Sequence, residues 1–381
     1  MPDAKGMQFS PMATTPQQRP PFRADHVGSL LRPKELREAF RKYGSEGQAA
    51  PEFLEIQERA IRDVVKLQEE AGLKVATDGE FRRSSYWGRF VERCQGFIIK
   101  PAVFKFRDDH GHEVDFTATY ANAKLNRTQP LAMDEFEYLR TVTKVTGKIT
   151  MPAPSTMHFY RCTDFADSAV YPDAEMFFAD LSGIYRDEIA DLAKAGCRYV
   201  QLDEVAVAML CDPSIRDKVA SAGQDPDKLV DLYIKAINDA VAQAPADMLV
   251  GIHMCRGNFR GRYLSEGGYE SVAERFFKNC NVTHFLLEYD TARAGDFKPL
   301  RFVPKGKGVV LGLVSTKTPV LETMDDLKRR TGEAAKFIEL DRLGIGPQCG
   351  FASTAAGNPL SEAEERAKLR LVVEASHDIW P

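Results

Sequence analysis

Met248-Leu249-Val250-Gly251-Ile252-His253-Met254-Cys255 is the stretch whose reading decides the fold, and Arg256-Gly257-Asn258 follows it. The apolar run reads as a short buried strand. Side chains alternate along a strand, so His253 and Cys255, two apart, share one side of its C-terminal end. An imidazole and a thiolate placed there make half of a zinc site, because zinc accepts N and S ligands and seeks four in a tetrahedron. A lone His-x-Cys also fits a buried thiol beside a structural histidine, since Cys is among the most buried residue types. The rest of the chain has to supply the other ligands.

Outward from this stretch, apolar runs recur with polar residues at their ends. Upstream, Tyr199-Val200-Gln201-Leu202 ends in Asp203-Glu204, and Lys148-Ile149-Thr150-Met151 ends in a Pro-rich loop. Leu73-Lys74-Val75-Ala76-Thr77 ends in Asp78-Gly79-Glu80, and the run from Asp25 ends at Gly28-Ser29. Downstream, Thr283-His284-Phe285-Leu286-Leu287 ends in Glu288-Tyr289-Asp290. The run from Gly308 ends in Ser315-Thr316-Lys317, and Leu343-Gly344-Ile345-Gly346 leads to Gln348-Cys349-Gly350. Helical apolar spacing marks segments between the runs, such as 52–71, 173–195, 269–277 and 324–340. Asp225-Pro226, and Ser361 with Glu364, are cap signals for two more helices.

Eight such runs alternating with helices predict an α/β fold, a TIM (β/α)8 barrel. The alternative is an open doubly wound sheet, but no Gly-x-Gly-x-x-Gly follows the first strand. Residues 95–143 break the rhythm. Phe97-Ile98-Ile99, Val103 to Phe106 and Val114 to Ala118 are strand-like around the polar turn Asp108 to His112. They predict a β-hairpin insertion after strand 2, with His110 and His112 as solvated turn residues.

The chain has 381 residues, a net charge of −4 and 44% hydrophobic residues. One catalytic domain over residues 22–381 suits the unbroken series of strand–helix units. The near-neutral charge argues against nucleic acid as the main partner. No apolar run approaches the roughly 20 residues of a membrane span. Residues 1–21 are rich in Pro, Gln and Thr and lack a signal-peptide core, so they read as a flexible leader. Seven scattered Cys without a secretion signal fit a reduced, cytoplasmic protein. Homo-oligomer formation is left open.

Active sites of the barrel fold lie at the C-terminal ends of the strands. Ser29, Glu80, Asp203, His253, Cys255, Glu288 and Cys349 all fall there. His253, Cys255, Glu288 and Cys349 then make a four-membered zinc set.

Taken together, Asp25-His26-Val27-Gly28-Ser29, Asp78-Gly79-Glu80, Gln201-Leu202-Asp203-Glu204, His253-Met254-Cys255, Glu288 and Cys349-Gly350 resemble a known family. It is the C-terminal catalytic barrel of cobalamin-independent methionine synthase, and more closely its short single-barrel homologues. The resemblance runs from Phe22 to Ile379. It implies Zn²⁺ on His253, Cys255, Glu288 and Cys349, and a homocysteine carboxylate held at Val27, Gly28 and Ser29. It implies an ammonium held by Glu80 and Asp203, and methyl transfer to the zinc-bound thiolate, as in a 5-methyltetrahydropteroyltriglutamate–homocysteine S-methyltransferase. The chemistry is coherent. A thiol with an ordinary pKa of about 8.5 is mostly protonated at pH 7, and a metal deprotonates it outright. Glu288 or a water is the ligand expected to give way to the incoming sulfur.

Two departures shape the expectation. Only about 20 residues precede the first strand, where full-length members of the family have a further barrel that helps bind a polyglutamated folate. Lys317 stands where the family has a His as proton donor. An ordinary pKa of about 10.4 makes Lys a poorer acid at neutral pH. The donor is therefore open between methyltetrahydrofolate and a methyl-corrinoid, free or protein-bound, with Lys317 joining Glu80 and Asp203 as catalytic candidates. The competing expectation is a zinc-dependent thiol alkyltransferase of the epoxide:coenzyme M transferase kind, with Lys317 or Arg256 binding an anionic thiol. A zinc- or thiol-binding protein without turnover is the non-enzymatic reading.

Overall fold

The computed structural model describes residues 21–44 and 49–381. Apart from Pro21, the expected leader lies outside the described residues. In chain order the strands are β1 (Val75–Ala76), β2 (Cys94–Pro101), β3 (Phe106–Arg107), β4 (Glu113–Val114), β5 (Thr117–Arg127) and β6 (Thr146–Gly147). They continue with β7 (Ile149–Pro152), β8 (Tyr199–Glu204), β9 (Leu249–Met254), β10 (His284–Glu288), β11 (Gly308–Val314) and β12 (Leu343–Pro347). β7 to β12 join in chain order into one parallel sheet. β1 pairs in parallel with β6, which leads directly into β7.

The α/β alternation expected from the sequence is present. β8, β10, β11 and β12 are buried along their whole length, as a parallel sheet covered on both faces requires. Several helices start on residues that satisfy their free N–H groups. Asp173 accepts from Met176 N at 2.7 Å, Asp225 accepts from Asp227 N at 2.9 Å, and Ser361 and Glu364 form a reciprocal capping box. The helix expected to run from 324 to 340 stops at Ala334. Beyond it, Lys336 N and Phe337 N bond three residues back, a tighter winding than the α-helix.

The first expected strand differs most. Around Asp25 only a single parallel bridge forms, between Ala24 and Ile345 of β12. The carbonyls that would extend it are taken by side chains. Lys148 Nζ donates to His26 O, Gln201 Nε2 to Val27 O and Thr77 Oγ1 to Gly28 O.

Between β1 and β6 the chain leaves the parallel sheet. β2 pairs antiparallel with β5, and β3 with β4. His110 and His112 are exposed in this region. Its aromatic residues pack inward: Phe104 stacks on Phe159 at 5.0 Å, and Phe106 meets Phe259 at 5.4 Å between ring centroids. All seven Cys are free and buried. Among the described residues no helix is long and apolar enough to cross a membrane.

Candidate active site

His253 lies near the end of β9 and Cys255 just beyond it, on the same side as alternation requires. Cys349 follows β12. On a flat sheet β9 and β12 would stand about 14 Å apart, three strand spacings. Yet one ligand atom from each of His253, Cys255 and Cys349 lies within 4.8 Å of the others, and all three residues are buried. The curl of the sheet and the turn after β12 bring them together. His253 Nδ1 is 3.2 Å from Leu286 O, which makes it the protonated nitrogen. Nε2 is then a bare acceptor, buried, with no hydrogen-bond partner among the described residues. A carbonyl-oriented imidazole presenting Nε2 toward two thiols is the arrangement of a metal ligand. Hydrogen bonding from Cys255 and the nearby His253 hold the Cys349 thiol well below its ordinary range, against the upward push of burial.

Of the four residues expected to bind metal, Glu288 stands outside this set. Its Oε2 accepts from Arg256 N at 2.7 Å, and its Oε1 lies 3.6 Å from Lys317 Nζ. Burial raises the Glu288 pKa, but Lys317 and Arg256 outweigh it and hold the carboxyl below its usual range.

Beside the His-Cys-Cys set is a cavity of about 510 Å³, part of it open to solvent. Val27, Ser29, Glu80 and Asp203 line it together with His253, Cys255 and Cys349. The Val27, Gly28 and Ser29 N–H groups meet no protein acceptor among the described residues. Glu80 has φ +61°, unusual for a residue with a side chain, and strain of this kind gathers at functional sites. Its Oε1 accepts from Thr150 Oγ1 at 2.7 Å, while Oε2 is buried without a partner. Asp203 Oδ1 accepts from Gln201 Nε2 at 2.8 Å, and Lys148 Nζ at 3.0 Å from Gln201 Oε1 fixes which way that amide points. Burial pushes Asp203 up to about 7; His253 opposes the rise and Glu80 adds to it. Two buried acids with raised pKa values lining one cavity form a place where a cation is favoured.

Much of the remaining lining is aromatic. Tyr86, Phe106, Phe116, Tyr160 and Phe259 line the cavity, with the Tyr86 and Tyr160 hydroxyls 3.2 Å apart. None of these five was a site candidate in the sequence, nor were Thr150 and Gln201 as supports. Alternation could have found the latter two, because Gln201 shares a strand face with Asp203, and Thr150 follows Lys148 by two residues.

Lys317 and Arg256, the cations expected to bind an anionic thiol, have partners of their own. Lys317 faces Glu288. The Arg256 guanidinium is buried, donating to Gly267 O at 2.7 Å and to Tyr269 Oη at 3.1 Å. Neither lines the cavity.

The family model described as the cobalamin-independent synthase catalytic domain matches residues 22–378. This chain belongs to that family. It is 40% identical over 371 residues to the uncharacterized protein YxjH of Bacillus subtilis, covering 96% of this chain and 97% of the relative. It is 28% identical over 328 residues to a methionine synthase of Pyrococcus abyssi, covering 85% of each. A solved structure from Listeria monocytogenes, described as a candidate vitamin-B12 independent methionine synthase, superposes with a TM-score of 0.74 at 31% identity. That match covers 96% of this chain and 100% of the other. The family supports a methyltransferase activity for this chain.

Proposed function

We propose that this chain is a zinc-dependent S-methyltransferase whose acceptor is homocysteine or a close amino-acid thiol. One observation carries the reading. The bare Nε2 of His253 and two thiols line a cavity together with Glu80 and Asp203, and among the described residues no Lys or Arg lines it. The His-Cys-Cys group suits a sulfur and the two acids an ammonium.

His253, Cys255 and Cys349 would hold Zn²⁺, which when bound supplies the Lewis acidity that keeps an acceptor sulfur as thiolate. The N–H groups of Val27, Gly28 and Ser29 would receive the acceptor's carboxylate. Glu80 and Asp203 would receive its ammonium, aimed by Thr150 and Gln201. Fixing both ends of a small amino acid leaves its sulfur one place to lie, and that positioning is the larger part of the catalysis. The aromatic wall supplies a water-poor space for the methyl donor. Methyltetrahydrofolate and a methyl-corrinoid are the two donors to compare.

Residues 22–381 act in this reading as one catalytic unit, the parallel strands closing as a (β/α)8 barrel with residues 95–143 as an insertion. A cytoplasmic setting goes with it, where free thiols stay reduced. Homo-oligomer formation is compatible with the reading and plays no part in it.

Zinc-edge X-ray absorption of the zinc-loaded protein, with and without L-homocysteine, tests the proposal. The expected result is a shell with two sulfurs becoming one with three. A shell unchanged by homocysteine would reject that acceptor, and a protein that takes up no zinc would reject the mechanism.

A further inference from the structure

Glu288 stands where the sequence pattern supplies a fourth ligand, but its carboxylate is tied to groups outside the metal set. One oxygen accepts the Arg256 N–H, and the other faces the Lys317 ammonium at 3.6 Å. The Glu288 side chain is 0% exposed and that of Lys317 is 5% exposed. Neither Glu288 Oε1 nor Lys317 Nζ has a hydrogen-bond partner among the described residues. Each charge has lost its water; Lys317 is the main cation beside Glu288, with Arg256 next, and the same ammonium also acts on Asp290 and Cys349.

The sheet builds this pairing. Glu288 sits opposite Gly312 across the β10–β11 ladder, and the turn after β11 carries Lys317 back over the end of β10. A carboxylate compensated by an ammonium competes poorly as a metal ligand, because the charge that would attract the ion is already matched.

We propose that Lys317 withholds Glu288 from the metal, so that the chain offers three protein ligands and keeps one position for the acceptor sulfur. The proposal rests on the zinc reading above. Glu288 is then a positioning residue: by accepting the Arg256 N–H it fixes the backbone immediately after Cys255.

The test is a double-mutant cycle on zinc affinity, read by competition with a chromophoric chelator. It compares the unchanged protein with Glu288→Gln, Lys317→Met and the double variant, each checked for fold by circular dichroism. Glu288→Gln should lower the affinity by no more than about 100-fold, the upper end of what groups outside the ligand set contribute. Lys317→Met should tighten zinc by about tenfold or more, as the freed carboxylate becomes a fourth ligand, and adding Glu288→Gln should cancel the gain. A loss beyond about 100-fold in Glu288→Gln would overturn the proposal, as would unchanged affinity in a folded Lys317→Met. If Lys317→Met does not fold, the Glu288→Gln measurement decides alone. Failure of the unchanged protein to bind zinc would instead defeat the zinc reading itself.

Discussion

Replacing Gly28 with Ala would strike the expected carboxylate site and Glu80 together. Gly28 has φ +134°, a conformation that L side chains avoid, and such strain costs about 1–3 kcal/mol. An added Cβ would also stand 2.7 Å from Thr150 Cγ2, about 1 Å inside ordinary carbon contact. Thr150 is not free to turn away. Its hydroxyl donates to Glu80 Oε1 at 2.7 Å and accepts from Arg83 Nη1 at 3.1 Å. Relieving the contact breaks one of these bonds, and overpacking of this kind costs a further 1–3 kcal/mol or so. The expected loss is about 2–6 kcal/mol, read from equilibrium urea unfolding, with weaker acceptor binding because Glu80 loses its support. Thr150→Ser removes Cγ2 but keeps the hydroxyl, so in the Gly28→Ala background it should restore about 1–2 kcal/mol. A Gly28→Ala protein within about 0.5 kcal/mol of the unchanged chain would refute the reasoning. So would a double variant that recovers nothing.

Cys255→Ser and Cys349→Ser should each lose zinc and turnover together; elemental analysis checks this, and a Cys255→Ser protein with full zinc would remove the site assignment. Asp203→Asn should keep zinc while weakening acceptor binding about 10–100-fold, the worth of one charge-assisted hydrogen bond. Calorimetric titration with L-homocysteine would show it, and an unchanged affinity would contradict the ammonium role. Asp134 gives a pH prediction. Burial pushes it up, but bonds from Arg93 and the Arg89 charge outweigh this and bring it down to about 2. A depressed folded pKa contributes stability above its ordinary value near 3.8, lost as pH falls toward 2. Asp134→Asn should therefore be less stable at neutral pH and lose less between about pH 4 and 2. Equal acid limbs in pH-jump unfolding would count against the assignment.

Much of this site is legible in the sequence, because its clues are local. Strand alternation alone places His253 and Cys255 on one side, and the recurrence of apolar runs ending in polar residues marks an α/β chain with its chemistry at the strand ends. Caps such as Asp225-Pro226 and Ser361 with Glu364 are equally local, since a helix start needs only neighbours within one turn. The first strand is not legible in this way. Asp25 begins an extended apolar run, but whether its carbonyls go to a ladder or to Lys148, Gln201 and Thr77 depends on side chains from three other segments.

The same limit governs the site. The aromatic wall joins residues 106 and 116 to Phe259, and nothing near Phe106 in the chain shows which cavity it covers. Residue types and their spacing determine by themselves that His253, Cys255 and Cys349 are ligand-type groups at strand ends. The fate of Glu288 is decided only in three dimensions. A carboxylate at the end of a strand has the same sequence signature whether it faces a metal or an ammonium. Its choice is made where the turn after β11 folds Lys317 over the end of β10, because a buried charge takes the partner that the tertiary structure puts beside it.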